Sequence, residues 1–89
     1  MKRVENKELI NFIKTLKCIS CGGVGGDAHH VTTRGAGGGD TPRNLMPLCR
    51  TCHQLIHKVG FGKAIEKHHT IGEWLKRAGR HDVLERIKR

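Results

Sequence analysis

Two C-x2-C pairs, Cys18/Cys21 and Cys49/Cys52, are separated by 27 intervening residues and constrain this chain more than any other feature. The chain has 89 residues, twelve of them glycine, and only three aromatic side chains, Phe12, Phe61 and Trp74. A single domain of that size buries a thin core and needs a staple, either disulfides or a metal. Met1–Lys7 is charged and no apolar stretch follows it, so no secretory leader is expected, and no run approaches the ~18 apolar residues of a membrane span. The expected compartment is therefore a reducing, cytoplasmic one, where paired C-x2-C motifs read as zinc ligands. Four thiolates in a tetrahedron make a structural zinc site. Free or disulfide-linked cysteines are the alternative, and chelators would then leave the fold intact.

The charge is the second constraint. Seventeen Lys/Arg stand against eight Asp/Glu, a formal +9 with a pI near 10.0. Four zinc-bound thiolates and the ion would leave about +7. Such a balance implies a polyanionic partner, most simply nucleic acid, against the plainer reading of charge kept for solubility.

Residues 1–4 read as a frayed basic tail. Residues 5–16 read as a helix, with Leu9, Phe12, Ile13 and Leu16 on one apolar stripe, Glu5 and Glu8 in the first turn and Lys14 and Lys17 in the last. Cys18–Gly23 is a knuckle whose glycines permit a tight turn. Residues 28–34 and 44–48 read as the strands of a hairpin with a long, mobile glycine-rich tip at 35–40. Residues 49–59 read as a helix stopped by Gly60, followed by a weaker helical pattern over 61–69. Thr70-x-x-Glu73 and Asp82-x-x-Glu85 read as capping boxes opening two more helices, with Gly79 between them. Trp74 is expected in the core, and His68, His69 and His81 on the surface.

Within residues 28–57 a second pattern interlocks with the cysteines. His29 and His30 are adjacent, Asn44 lies midway, and His53 and His57 form H-x3-H on a predicted helix. Two imidazoles one helical turn apart can chelate one ion, so a second metal site is expected here. Adjacent residues of a regular strand point to opposite faces. Either the strand is distorted at His29–His30, for which a twist or bulge is expected, or only one histidine faces the site.

The combination of C-x2-C, AHH, NLMPLC and C-x2-CH-x3-H over residues 18–57 resembles the HNH endonucleases, in the zinc-knuckle form found in phage and bacterial genomes. The Asn44–His53–His57 spacing also resembles the nuclease domains of colicins. The resemblance covers about forty residues and does not extend with the same assurance to 61–89. It implies an α+β fold: a ββα-metal (His-Me finger) core over about 18–59 with a structural four-cysteine zinc, flanked by an N-terminal helix (5–16) and a basic helical extension (60–89), all one domain over 1–89.

The resemblance also implies roles. His30 would be the general base. His29, where many relatives carry Asp, would be a metal ligand with His53 and His57. Asn44 would brace the hairpin near His30, against the plainer role of a turn residue. Arg34 is a phosphate clamp or a solvated arginine, and Asp40 a water-mediated metal contact or, more simply, a solvated loop residue. A divalent ion would polarise the phosphate and neutralise the leaving oxygen. Mn2+, Ni2+, Co2+ and Zn2+ suit three imidazoles better than Mg2+, which prefers oxygen ligands.

The expected activity is metal-dependent hydrolysis of DNA to 5′-phosphate and 3′-hydroxyl ends, nicking as a monomer or cutting both strands as a dimer. The host is expected to be bacterial or a phage, and phage packaging or recombination proteins are partners implied by resemblance alone. No membrane partner is expected. Two rivals stand beside this reading. One is a catalytically idle zinc module binding nucleic acid or protein; the other is a structure-selective nuclease acting on branched DNA. Residues 58–89 hold nine Lys/Arg against four Asp/Glu, and are expected to add phosphate contacts.

Overall fold

The computed structural model describes residues 4–87. The frayed tail expected over 1–4 lies, but for Val4, outside the described residues, as do the cationic Lys88 and Arg89. The order is α1 (Lys7–Lys14), β1 (Asp27–His30), a 3-10 turn (Arg34–Ala36), β2 (Leu45–Leu48), α2 (Arg50–Lys67), α3 (His69–Arg77) and α4 (His81–Ile87). This is a small α+β fold with one two-stranded sheet.

Helix α1 begins later than its charge pattern suggests. Asn6 caps it, its Oδ1 accepting the Leu9 N–H at 3.0 Å, so Glu5 lies outside the first turn. Ile13 is buried, but Phe12 is 58% exposed and does not belong to the packed stripe. β1 and β2 pair antiparallel in one-to-one register, Asp27 with Leu48, Ala28 with Pro47, His29 with Met46 and His30 with Leu45. The bulge expected at His29–His30 is therefore absent, and the pleat sends the two histidines to opposite faces. The first strand also stops at His30, earlier than its β-branched residues suggest. Thr32 N–H turns aside to the Asn44 side chain, so the ladder cannot continue.

The tip at 35–40 is not a bare mobile loop. Gly38 and Asp40 are buried, and Asn44 donates to Gly39 O at 2.9 Å. At Gly60, φ +82 and ψ 168 break α2 into 50–59 and 61–67. A β-carbon would resist this backbone, whereas glycine accepts it.

Neither capping box forms. α3 starts at His69 without a side-chain cap, and the Thr70 hydroxyl donates instead to Ser20 O. The Asp82 carboxylate is taken by the Arg80 guanidinium in a two-pronged pair at 3.0 Å each. The core joins all these pieces: Met46 and Leu48 from β2, Ile56 and Ala64 from α2, Ile71 and Leu75 from α3, Val83 from α4, with Cys18 and Cys52 among them. Trp74 packs half-buried against it. No helix among the described residues is long and apolar enough to cross a membrane.

Candidate metal centres

The four cysteines meet although the sequence separates them into two turns. Cys18 and Cys21 flank the knuckle, closed by Cys18 N–H to Gly23 O at 3.0 Å and Gly22 N–H to Cys18 O at 2.9 Å. Cys49 and Cys52 form the first turn of α2, where the Cys49 sulfur accepts the Cys52 N–H. All four sulfurs lie within 4.8 Å of one another, Cys21 and Cys49 at 3.9 Å. Sulfurs about 2.3 Å from a tetrahedral zinc stand roughly 3.8 Å apart, so the donor set fits that ion.

Its electrostatics fit as well. Burial pushes the Cys18 thiol up, but main-chain N–H groups of Cys21, Cys49 and Ser20 outweigh it and bring it to about 7. Burial, reinforced by the neighbouring Cys49 and Cys18 sulfurs, raises Cys52 to about 12. A buried thiol held that high becomes a thiolate only when a cation is bound beside it. The Ser20 hydroxyl is buried with no hydrogen-bond partner among the described residues. Thiolate charge on Cys52 would give it an acceptor.

The second cluster gathers His29 from β1 and His53 and His57 from α2, with one ring nitrogen of each within 4.8 Å of the others. The register explains this. His29 faces the helix, and the i, i+4 pair shares the helix face above it. The His29 ring stands edge-on to His53 at 4.8 Å, to His57 at 5.2 Å and to Phe61 at 5.6 Å between centroids. Burial, then the neighbouring imidazoles of His53, His57 and His30, lowers His29 to about 4. It is therefore neutral at pH 7 and able to ligate a cation.

Asp27 orders the cluster. Two residues before His29 on the same strand face, its Oδ2 lies 2.9 Å from His53 Nδ1. The bond from His53, opposed by burial and supported by Arg50, holds the Asp27 carboxyl below its usual range. With Nδ1–H directed at the carboxylate, His53 Nε2 keeps a bare lone pair, and that atom lies 3.1 Å from His57 Nε2. At that distance the two nitrogens share a proton or a cation. Three neutral imidazoles suit zinc, nickel, cobalt or manganese.

The remaining expected site residues do not join this cluster. His30 points to the other face, where its Nε2 lies 2.7 Å from Asp40 Oδ1. Asp40 is thus neither solvated nor directed at the histidine trio. Its side chain is 3% exposed, and it also accepts the Asn6 N–H at 2.8 Å. Asn44 is buried and makes four side-chain bonds: Oδ1 accepts from Thr32 N and Arg80 Nη1, and Nδ2 donates to Thr32 O and Gly39 O. Arg34 sits exposed in the 3-10 turn, with no side-chain hydrogen bond or ion pair among the described residues.

Arg80, one of the cations of 58–89 expected to add phosphate contacts, is instead buried and bonded to Asn44, Thr32, Arg43 O and Asp82. Asp27 had a readable signal, since i and i+2 share a strand face. Asp40 and Arg80 had none.

Over residues 1–76 the chain matches the family described as Protein of unknown function (DUF968). No curated protein and no solved structure matches it. The matched span contains both clusters, the hairpin and the His30–Asp40 pair, and ends before Arg80.

Proposed function

The chain belongs to the DUF968 family, a family of unknown function, and from that premise we propose that it is a metal-dependent DNA endonuclease of the HNH type. The observation that carries this reading is the convergence of His29, His53 and His57 on one point, with His53 oriented by Asp27. A four-cysteine cluster beside it ties the knuckle to the start of α2. The order strand, strand, helix, with a histidine pair at the end of β1 and H-x3-H in α2, supports the resemblance to HNH endonucleases, and of the pair it is His29 that faces the ion site while His30 lies on the opposite strand face. The +9 charge suits a polyanionic substrate.

Hydrolysis of a phosphodiester needs a nucleophile and relief of charge on the leaving oxygen. In this reading His29, His53 and His57 hold a divalent ion, which when bound polarises the phosphate and neutralises the departing 3′ oxygen. His30 accepts a proton from water. The water oxygen forms a bond to phosphorus, the bond to the 3′ oxygen breaks with its electron pair, and that oxygen takes a proton from solvent. Asn44 bonds Thr32 and Gly39, on either side of the tip, and so fixes where β1 ends and His30 sits. Arg34 is free to contact a phosphate oxygen.

Relaxation of supercoiled plasmid by the purified protein with Mg2+, Mn2+, Co2+, Ni2+ and Zn2+, beside His30→Ala, tests this. Metal-dependent nicking lost in the variant, with zinc and fold retained, supports it. Salt-sensitive DNA binding without cleavage by any metal replaces it with a non-catalytic zinc module. Preference for four-way over linear duplex would make the enzyme structure-selective.

A further inference from the structure

We propose that Asp40 is a positioning residue that holds His30 as its Nε2–H tautomer and leaves Nδ1 bare to take the proton from water. The inference deepens the nuclease reading and rests on it for the identity of the general base. Its ground is geometric. His30 Nε2 lies 2.7 Å from Asp40 Oδ1, a contact between residues ten apart across the glycine-rich tip. A carboxylate only accepts, so Nε2 must carry the hydrogen. His30 Nδ1 has no hydrogen bond among the described residues. The nitrogen left to work is therefore the unprotonated one, which is what a general base requires.

The carboxylate is itself fixed. Its Oδ2 accepts the Asn6 N–H at 2.8 Å, and the Asp40 N–H donates to Val4 O at 2.8 Å. Asn44 holds the preceding residue through Gly39 O. A loop of glycines thus ends in a buried anion anchored from two sides, facing one imidazole edge.

The Asn6 contact makes the inference sharply testable. In Asp40→Asn the amide nearly matches the carboxylate in shape, but only its oxygen can satisfy the Asn6 N–H. The amide NH2 then faces His30 Nε2, which must become the acceptor. The ring proton moves to Nδ1, and the nitrogen that should accept a proton already has one. A role limited to clamping the loop would survive this substitution.

Long-range nitrogen–proton NMR spectra of the zinc-loaded protein, recorded near pH 8, above the ordinary histidine range, report the tautomer without needing activity. His30 should be Nε2–H in the wild type and Nδ1–H in Asp40→Asn, with circular dichroism and zinc content unchanged. A wild-type proton on Nδ1, or the same tautomer in both proteins, overturns the inference. Plasmid nicking supplies the second arm. Asp40→Asn should lower kcat by about 10²-fold at unchanged KM, and should cause no further loss in a His30→Ala background. Full kcat in Asp40→Asn, alongside a dead His30→Ala, overturns the positioning role and leaves the nuclease reading standing. A wild type that cuts nothing with any metal removes the nuclease reading, while the tautomer pair still decides whether Asp40 sets His30. Asp40→Ala, checked for folding first, should lose the Nε2–H preference without imposing Nδ1–H.

Discussion

Asp27 Oδ2 and His53 Nδ1 lie 2.9 Å apart across the gap between β1 and α2, and this one bond decides which nitrogen His53 offers to an ion. A carboxylate behind a ligating imidazole fixes its tautomer and raises its basicity, and losing such a partner weakens metal binding by 10- to 100-fold, roughly. Asp27→Ala should therefore weaken Ni2+ or Zn2+ at the histidine cluster by about that factor. Titration calorimetry on protein whose cysteine site is already filled with zinc would measure it. The four-cysteine site should be unaffected, since Asp27 bonds to His53 and Arg50 and to no cysteine. Equal loss at both sites would show that the substitution loosens the hairpin as a whole.

Removing the metal from the cysteines should unfold the chain. Cys18 and Cys52 are buried within the same cluster as Met46, Leu48 and Ile56, so the sulfurs and the apolar core are one structure. Structural zinc in domains this small supplies folding free energy directly. Excess chelator at pH 7 should abolish the cooperative thermal transition in circular dichroism, and readdition of zinc should restore it. Cys52→Ser should behave as the chelated protein does. Zinc uptake should release protons, because the Cys52 thiol, raised to about 12, is protonated until the ion arrives.

Acid should weaken the fold through His29. Its folded pKa of about 4 lies below the ordinary histidine value of 6.5. Between those two values the unfolded chain binds more protons than the folded one, so stability rises with pH across that window. No penalty remains above about pH 6.5. As pH falls toward 4 the cost approaches about 3 kcal/mol. Urea titrations of protein with zinc in the cysteine site and no ion at the histidines should show this slope, and His29→Gln should flatten it. An unchanged slope in the variant would assign the acid sensitivity to other groups. Asp82, held down at about 2 by Arg80 from an ordinary 3.8, adds to the slope only at the acid end of this window, as pH approaches 4, and leaves the span above about pH 5 to His29.

How much of this was readable beforehand follows from what kind of contact each feature is. The cysteine pairs and the i, i+4 histidines are local spacings, and local spacing survives translation into three dimensions. Gly60 and Gly79 were legible as breaks because each has positive φ, a demand on one residue. The hairpin was legible in outline, but its first strand ended sooner because Asn44 captured the Thr32 N–H. The capping boxes failed for a related reason. Thr70 and Asp82 had the correct spacing, yet the Thr70 hydroxyl went to a tertiary partner, Ser20 O, and the Asp82 carboxylate to the guanidinium of Arg80 two residues before it. His30–Asp40, Asp27–His53 and Asn44–Arg80 join residues 10, 26 and 36 apart. Such pairings carry no period, and a buried arginine among seventeen cations looks like any other until the loop closes over it.

Asn44 should be the most sensitive single polar position of the hairpin. Its side chain satisfies the Thr32 main chain on both sides, holds Gly39 O, and accepts from the buried Arg80 guanidinium at 2.9 Å. Asn44→Ala leaves the part-buried Thr32 N–H, Thr32 O and Gly39 O without that partner and takes one acceptor from Arg80, which keeps Asp82, Thr32 and Arg43 O; each unsatisfied group costs about 1–3 kcal/mol. A loss of roughly 3 kcal/mol or more in urea denaturation is expected, against a small one for Arg34→Ala on the exposed turn. Gly38→Ala reaches the same network from the other side. A β-carbon there would overlap Thr32 O and come within 2.9 Å of Asn44 Nδ2. The neighbouring main chain cannot yield as a flexible side chain could, so the tip must shift and Asn44 must release one of its bonds. Both variants should therefore lower stability and also disturb the His30 environment, seen as displaced His30 ring signals in NMR. Preserved His30 signals in a strongly destabilised Asn44→Ala protein would show that Asp40 alone holds that imidazole in place.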